Sequence, residues 1–190
     1  MLSASSSRFR LRALATLAGA LALVTTGSMT AWGQQAAPRS GTNGAGPITE
    51  LDFLLGDFSC AYTDLTLAEP VTVNVDWKTE KTLGGAFYEM RLIGTTPAFE
   101  GRWVFGRNAV DDEFTSFYWD TWGNTGTATS QGWNDNGMLR FRGPYVIPAG
   151  HVASKDEFRI VDGDRFTDDA FIRFPGEEWK AISHVDCRRN

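Results

Sequence analysis

The chain has 190 residues, of which 42% are hydrophobic, and carries a formal net charge of −5 at pH 7. Nucleic-acid binding depends on neutralising phosphates with Lys and Arg side chains, and this acidic sequence contains no cluster of them. We therefore expect no nucleic-acid partner.

The N-terminus has the features of a secretory signal peptide. Three arginines precede the apolar run ALATLAGALALV, and small residues flank a cleavage point before Gln34. The run is shorter than the roughly 20 residues that span a bilayer, which favours cleavage and export over an uncleaved anchor. We predict a signal peptide at 1–33 and a flexible leader at 34–47, with no stable membrane span after cleavage. Loss of the three arginines would change the net charge from −5 to −8.

A single domain is expected over residues 48–190, and it begins with a short helix, TELDFLLG, at 49–56. Thr49 is expected to cap its N-terminus, Asp52 stands at the capping-box spacing, and Gly56 can end it. Because the segment is short and apolar on its leucines, we expect it to close one end of the domain.

After the helix, apolar and polar residues alternate in almost every segment, as in VTVNVDW at 71–77. This alternation predicts half-buried strands, and Gly-, Asn- and Pro-rich turns separate them. Ten strands are predicted, at 57–66, 70–82, 86–93, 98–107, 113–122, 125–133, 138–143, 151–161, 164–174 and 178–188.

Ten strands joined by short loops favour antiparallel neighbours and an all-β up-and-down barrel, with a two-sheet sandwich as the alternative. Such a barrel closes by pairing its first strand with its last. Cys60 lies in the first strand and Cys187 in the last, and an even pair of cysteines in an exported protein predicts a disulfide. A bridge here would cross the barrel seam and stabilise the fold by about 4–5 kcal/mol, less any strain.

Five segments, taken together in their order and spacing, carry a family resemblance. They are LDFLLGDF (51–58), LGGAFYEMRL (83–92), FEGRWVFGRNAVDDEFTSFYWDTWG (99–123), SQGWNDNG (130–137) and EEWKAISHVDCRR (177–189). This pattern resembles an uncharacterised bacterial family of calycin-like, or lipocalin-like, barrels known only as a domain of unknown function. The resemblance implies a ten-stranded barrel and no specific activity.

The nitrobindin-like haem barrels share this architecture and hold haem through a histidine near the C-terminus. His184 is similarly placed and is the candidate axial ligand; peroxide, nitric oxide or peroxynitrite chemistry would follow. Those proteins carry Gly-x-Trp-x-Gly-x-Gly in the first strand, where this chain reads GDFSCAY, with Phe58 in place of the Trp. The alternating pattern places Ala181, Ser183 and Cys187 on an inward face, so His184 is predicted to point outward.

Catalytic and metal-binding motifs are not evident. His184 and Cys187 are three residues apart, and on a strand such residues point to opposite faces. A zinc site needs three or four ligands, and the only other histidine is His151. We predict no catalytic residue, no metal and, outside the haem alternative, no cofactor.

Aromatic residues give the strongest indication of a binding site, because seven Trp and 13 Phe exceed what a small core needs. A barrel of this size either fills its interior or holds one ligand. The predicted inner wall consists of Trp77, Trp103, Phe105, Phe117, Trp119 and Phe141. Three acids, Glu89, Asp120 and Asp168, are candidate polar groups of the site; the alternative is that they face solvent or pair with arginines across strands.

These observations favour an exported, non-catalytic barrel that binds a small, largely apolar ligand. One alternative is the haem protein with His184 as axial ligand. The other is a filled barrel that acts as an interaction module in the cell envelope. The sequence predicts no oligomeric state.

Overall fold

A computed structural model of the protein describes residues 46–190. The predicted signal peptide and most of the predicted leader lie outside the described residues. Ten antiparallel strands close into one barrel, in the order β1-β10-β9-β8-β7-β6-β5-β4-β3-β2, which confirms the barrel and excludes the sandwich. The strands are β1 Gly56–Asp64, β2 Val71–Thr82, β3 Phe87–Thr95, β4 Ala98–Asn108, β5 Glu113–Asp120, β6 Thr125–Ser130, β7 Leu139–Ile147, β8 Gly150–Asp162, β9 Arg165–Arg173 and β10 Lys180–Arg189.

One predicted boundary is wrong by several residues. The segment 143–150 was expected to be a loop, yet β7 continues through Pro144 to Ile147. Proline cannot donate a backbone hydrogen bond and is tolerated in strands where no partner needs one. Between Gly126 and Thr129, β6 has no residue paired with β7, so the proline lies beside an interruption of the ladder.

The N-terminal helix is a 3₁₀ helix over Ile48–Leu54, preceded by Pro47 and without a side-chain cap among the described residues. The predicted cap by Thr49 and the capping box with Asp52 are therefore wrong. The Asp52 carboxylate instead accepts a hydrogen bond from the Tyr88 hydroxyl. Because the helix begins at Ile48, Thr49 lies inside its first turn and Asp52 lies beyond the capping-box position. Leu54 is fully buried, and the helix closes one end of the barrel as expected.

Beneath the helix, aromatic rings occupy the interior of the barrel. Phe158 lies at their centre, with its ring centroid 6.1 Å from Phe53 and 6.1 Å from Phe141. These edge-to-face and tilted arrangements are favoured by aromatic quadrupoles. We call this end the filled half, formed by the 3₁₀ helix with Phe58, Phe105, Phe114, Phe141, Phe158 and Phe166.

The disulfide between Cys60 and Cys187 is present, with an S–S distance of 2.05 Å. The two residues face each other in the register of β1 and β10, so the bridge joins the first and last strands, as predicted. A structural disulfide indicates a non-reducing environment. Among residues 46–190, no helix is long and apolar enough to cross a membrane.

Candidate ligand-binding cavity

The end of the barrel opposite the 3₁₀ helix contains a cavity of about 390 Å³, within the size range of small-molecule sites. Leu67 of the β1–β2 turn and Trp122 of the β5–β6 turn line its mouth. Its walls are largely apolar on β2 and β3, through Val73, Val75 and Leu92. We call this end the open half.

Two tryptophans form the boundary between the halves. Trp77 and Trp103 both line the cavity, and their rings also touch the filled half. The ring centroid of Trp77 lies 5.9 Å from Phe166, and that of Trp103 lies 5.4 Å from Phe158. The filled half therefore provides a rigid aromatic floor for the cavity.

Two aspartates on neighbouring strands face into the open half. In the register of β8 and β9, Asp156 lies opposite Ala170 and Asp168 lies opposite Phe158. The two aspartates are thus diagonal neighbours on one face, at roughly 7–8 Å between Cα atoms. Asp168 is only 3% exposed, whereas Asp156 keeps some accessible surface where it borders the cavity.

Burial raises the pKa of both carboxyls. Loss of solvation raises the pKa of Asp156 to about 7. Loss of solvation also raises the pKa of Asp168 well above its ordinary value, and the nearby Asp156 raises it further. In contrast to a surface pair, these acids hold protons at mildly acidic pH.

Basic side chains are absent from this environment: within residues 46–190, no Lys, Arg or His lines the cavity. The ion pairs on the same strands lie on the outer face. The Arg140 Nε and Lys155 Nζ atoms lie 2.8 Å and 3.0 Å from a Glu157 carboxylate oxygen. The interior acids therefore have no counter-ion from the described part of the chain.

Two buried polar atoms that belong to cavity-lining residues have no hydrogen-bond partner among residues 46–190. They are the indole Nε1 of Trp103 and the carboxyl Oδ1 of Asp168. Trp103 is 6% exposed, so bulk solvent does not satisfy its N–H. An unpaired buried polar atom costs about 1–3 kcal/mol, and a polar group inside the cavity could remove that cost.

Three tyrosines, Tyr62, Tyr118 and Tyr145, surround the acids on the cavity wall. Burial is the main cause of the raised pKa of each hydroxyl, so all three remain protonated. The Tyr145 ring lies against Gly126, where a Cβ atom would be 2.3 Å from it. The glycine therefore leaves the space that this ring occupies.

The two acids at the cavity mouth, Asp64 and Asp120, accept hydrogen bonds from groups in or beside the adjacent turns. Asp120 accepts hydrogen bonds from the Tyr118 hydroxyl at 2.9 Å and from the Asn124 side chain at 2.7 Å. Asp64 accepts from the Thr66 backbone and hydroxyl at 2.8 Å and 2.6 Å. Asp120 and Asp64 thus order the β5–β6 and β1–β2 turns, which leaves Asp156 and Asp168 as the polar pair inside.

The predicted site residues fall into three groups. Trp77, Trp103, Asp120 and Asp168 line the cavity, whereas Phe105 and Phe141 are fully buried in the filled half. The remaining three, Phe117, Trp119 and Glu89, are not on the inner wall.

Phe117 and Trp119 are 44% and 47% exposed, because the inward residues of β5 are Phe114, Ser116 and Tyr118. The sequence places aromatics on both faces of this strand, so composition alone could not identify the inner one. Glu89 lies on the outer face and accepts a hydrogen bond from Arg102 at 2.6 Å. This is the cross-strand pairing considered as the alternative for the acids.

His184 points outward, as the alternation predicts, and its Nδ1 atom lies 2.7 Å from Asp169 Oδ1. An irregularity between Ala181 and Ser183 brings Ile182 to the cavity wall, so Ala181 is not inward as expected. Because His184 does not line the cavity, the residues present do not fit an axial histidine ligand for haem there.

Sequence reasoning missed Asp156 and Tyr145. The segment VASKDEF carried a usable signal, since Ser154, Asp156 and Phe158 alternate on one face and Phe158 is a natural core residue. The pairing of Asp156 with Asp168 depends on the β8–β9 register, which local sequence does not contain.

Comparison with known proteins gives a fold and no family. No family model matches the chain, and no curated protein matches it. The crystal structure of Rv2717c from M. tuberculosis is similar, with a TM-score of 0.53 and 11% sequence identity over 77% of this chain and 99% of that one. At this identity the likeness shows the ten-stranded antiparallel barrel alone.

Proposed function

We propose that this protein is an exported, non-catalytic calycin-like barrel that binds a small, largely apolar ligand in its open half. The observation that carries the proposal is the cavity of about 390 Å³, which lies beside a filled half that closes the opposite end. Its walls are largely apolar, with a few inward polar groups, which is the usual form of a small-molecule site.

Two further observations support the proposal. The unpartnered atoms of Trp103 and Asp168 give a ligand specific polar contacts. The N-terminal basic and apolar segments and the disulfide are both typical of an exported protein.

The proposal can be tested with N-phenyl-1-naphthylamine, a neutral apolar dye that fluoresces in apolar surroundings. We expect saturable uptake by the native protein. Ala128 lines the cavity on β6, and Ala128→Phe should reduce the uptake at least about tenfold because the new ring fills the space.

The matched control is Thr129→Phe, at the neighbouring exposed position of the same strand, which should bind the dye like the native protein. Native mass spectrometry of protein from its source envelope should also show a retained small molecule. Absence of both dye uptake and a retained ligand would reject the proposal.

A further inference from the structure

We propose that the ligand is a small organic amine whose cationic ammonium group binds to the Asp156–Asp168 pair while its apolar body lies along β2 and β3. This inference rests on ligand binding in the open half, as proposed above, and specifies the chemical class of the ligand.

The first argument is charge. Both aspartates face the same cavity from neighbouring strands, and no basic side chain among residues 46–190 lines it. A buried carboxylate without a counter-ion is energetically costly. A cation that enters the cavity removes this cost, whereas an anion increases it, so the cavity discriminates by charge.

The second argument is the unpartnered hydrogen-bonding capacity. The Oδ1 atom of Asp168 has no donor among residues 46–190, and an ammonium group supplies up to three N–H donors. The buried Nε1 of Trp103 also has no partner among those residues. It offers one N–H to an acceptor on the ligand body, such as a hydroxyl or ether oxygen.

The third argument is the aromatic surroundings. Tyr62 is close enough to Asp168, and Tyr145 to Asp156, for the negative charge of each acid to raise the pKa of the neighbouring hydroxyl. The Tyr118 ring lies 5.7 Å from Trp103 and 5.9 Å from Tyr145, centroid to centroid. The negative faces of such rings attract ammonium groups, so the rings and the acids favour the same charge.

A metal ion suits this donor set less well than an organic cation. In residues 46–190 no three His, Cys, Asp or Glu side chains converge on one point, and hard cations take six or more oxygen ligands. The apolar wall of Val73, Val75 and Leu92 suits the hydrocarbon part of an organic amine.

Binding should depend on pH, because the ammonium group requires an ionised carboxylate. The other ionisable groups that line the cavity or act on the pair are Tyr62 and Asp64 on β1, Tyr118 and Asp120 on β5, Tyr145 on β7, Glu157 on β8 and Asp169 on β9. None of them is cationic. Since burial raises the pKa of Asp156 to about 7, affinity should fall as pH decreases below about 7.

The test compares three probes with one hydrocarbon body by isothermal titration calorimetry at pH 7.5: 2-phenylethylamine, 2-phenylethanol and 3-phenylpropanoate. We expect the amine to bind at least about tenfold more tightly than the alcohol, and the anion to bind most weakly. Between pH 8 and pH 6 the affinity for the amine should fall at least about fivefold, while that for the alcohol stays constant.

The Asp156→Asn/Asp168→Asn double variant should reduce the preference for the amine to less than about threefold while it still binds the alcohol. Asp169→Asn is the matched control, because Asp169 adjoins Asp168 on β9 but pairs with His184 outside; it should keep the full preference.

The inference is overturned if the amine does not bind, if it binds no better than the alcohol, or if the double variant keeps the preference. Uptake of N-phenyl-1-naphthylamine by the same samples reports ligand binding separately. Dye uptake without a preference for the amine rejects the amine and leaves the proposed function standing.

Discussion

The filled half and the open half are built from successive inward positions of the same strands, which carry different side chains. On β8, Phe158 fills one half, whereas Asp156, two residues earlier on the same face, borders the cavity. On β9 the corresponding residues are Phe166 and Asp168. The identity of the inward residues, rather than a change in strand geometry, therefore decides where this barrel is open.

The two halves contribute differently to stability and to the proposed ligand binding. The filled half buries large apolar rings, each of which contributes a few kcal/mol when withdrawn from water. The open half contains acids and two unpartnered polar atoms, which oppose folding unless a ligand satisfies them. Strongly stabilising contacts at one end allow the other end to keep unsatisfied groups, as is common in binding sites.

The largest effect is expected from the disulfide, which joins β1 and β10 where the two halves meet. Its cysteines are separated by 127 residues, and removal of a bridge that closes so long a loop should cost about 4–5 kcal/mol. The measurement is the urea midpoint of the Cys60→Ala/Cys187→Ala variant.

Amide hydrogen exchange would show which of the two halves depends more on the disulfide. In that variant, we expect exchange to rise more at Tyr62, on the cavity side of β1, than at Phe58, whose ring lies 5.0 Å from Phe166. Native protein treated with reductant should behave in the same way. An unchanged urea midpoint in the variant would show that the pairing of β1 with β10 is stable without the disulfide.

Truncation of a ring at the centre of the filled half should lower the free energy of unfolding nearly as much as loss of the disulfide. Phe158→Ala removes a fully buried ring that contacts several others, and such changes typically cost about 3–5 kcal/mol. Tyr145→Ala in the open half should cost about 1–2 kcal/mol, because it enlarges an existing cavity instead of creating a new one. Denaturant titration measures both; equal losses would mean that stability is not concentrated in the filled half.

Much of the fold could be predicted because its signals are local. Period-two alternation and turn residues identify strands without knowledge of their partners, and with only two cysteines the disulfide had a single possible pairing. The outward direction of His184 was also predictable, since the irregularity in β10 lies between Ala181 and Ser183 and leaves the alternation after it intact.

The remaining features depend on contacts between distant segments. The Asp52 carboxylate was expected at a helix-capping position. It instead accepts a hydrogen bond from the hydroxyl of Tyr88, 36 residues away. β5 carries aromatics on both faces, so only the closed barrel distinguishes Phe114 from Phe117. Likewise, the interior acid pair exists because the β8–β9 register brings Asp156 and Asp168 together.

In contrast to these truncations, Asp156→Asn is expected to stabilise the protein. The pKa of Asp156 is about 7 in the folded protein against an ordinary value of 3.8, so the folded state binds this proton more tightly than the unfolded state. The contribution of this group to the free energy of unfolding is therefore highest below about pH 4 and falls as pH rises towards 7. Removing the charge should stabilise the protein by about 1–4 kcal/mol at pH 7.5 and leave it nearly unchanged at pH 4.

Urea midpoints of the native protein and the variant at pH 4, 5.5 and 7.5 measure this difference and cancel the titration of other groups. Asp169→Asn is again the control: it removes the same charge from the neighbouring strand β9, outside the cavity, where the loss of its contact with His184 gives no stabilisation. If Asp156→Asn instead lowered stability equally at all three pH values, the Asp156 carboxyl would be contributing fixed hydrogen bonds in the fold. An uncompensated interior charge is what distinguishes the open half from the filled half. Without it, the polar groups of the open half would stabilise the fold, as the aromatic rings of the filled half do.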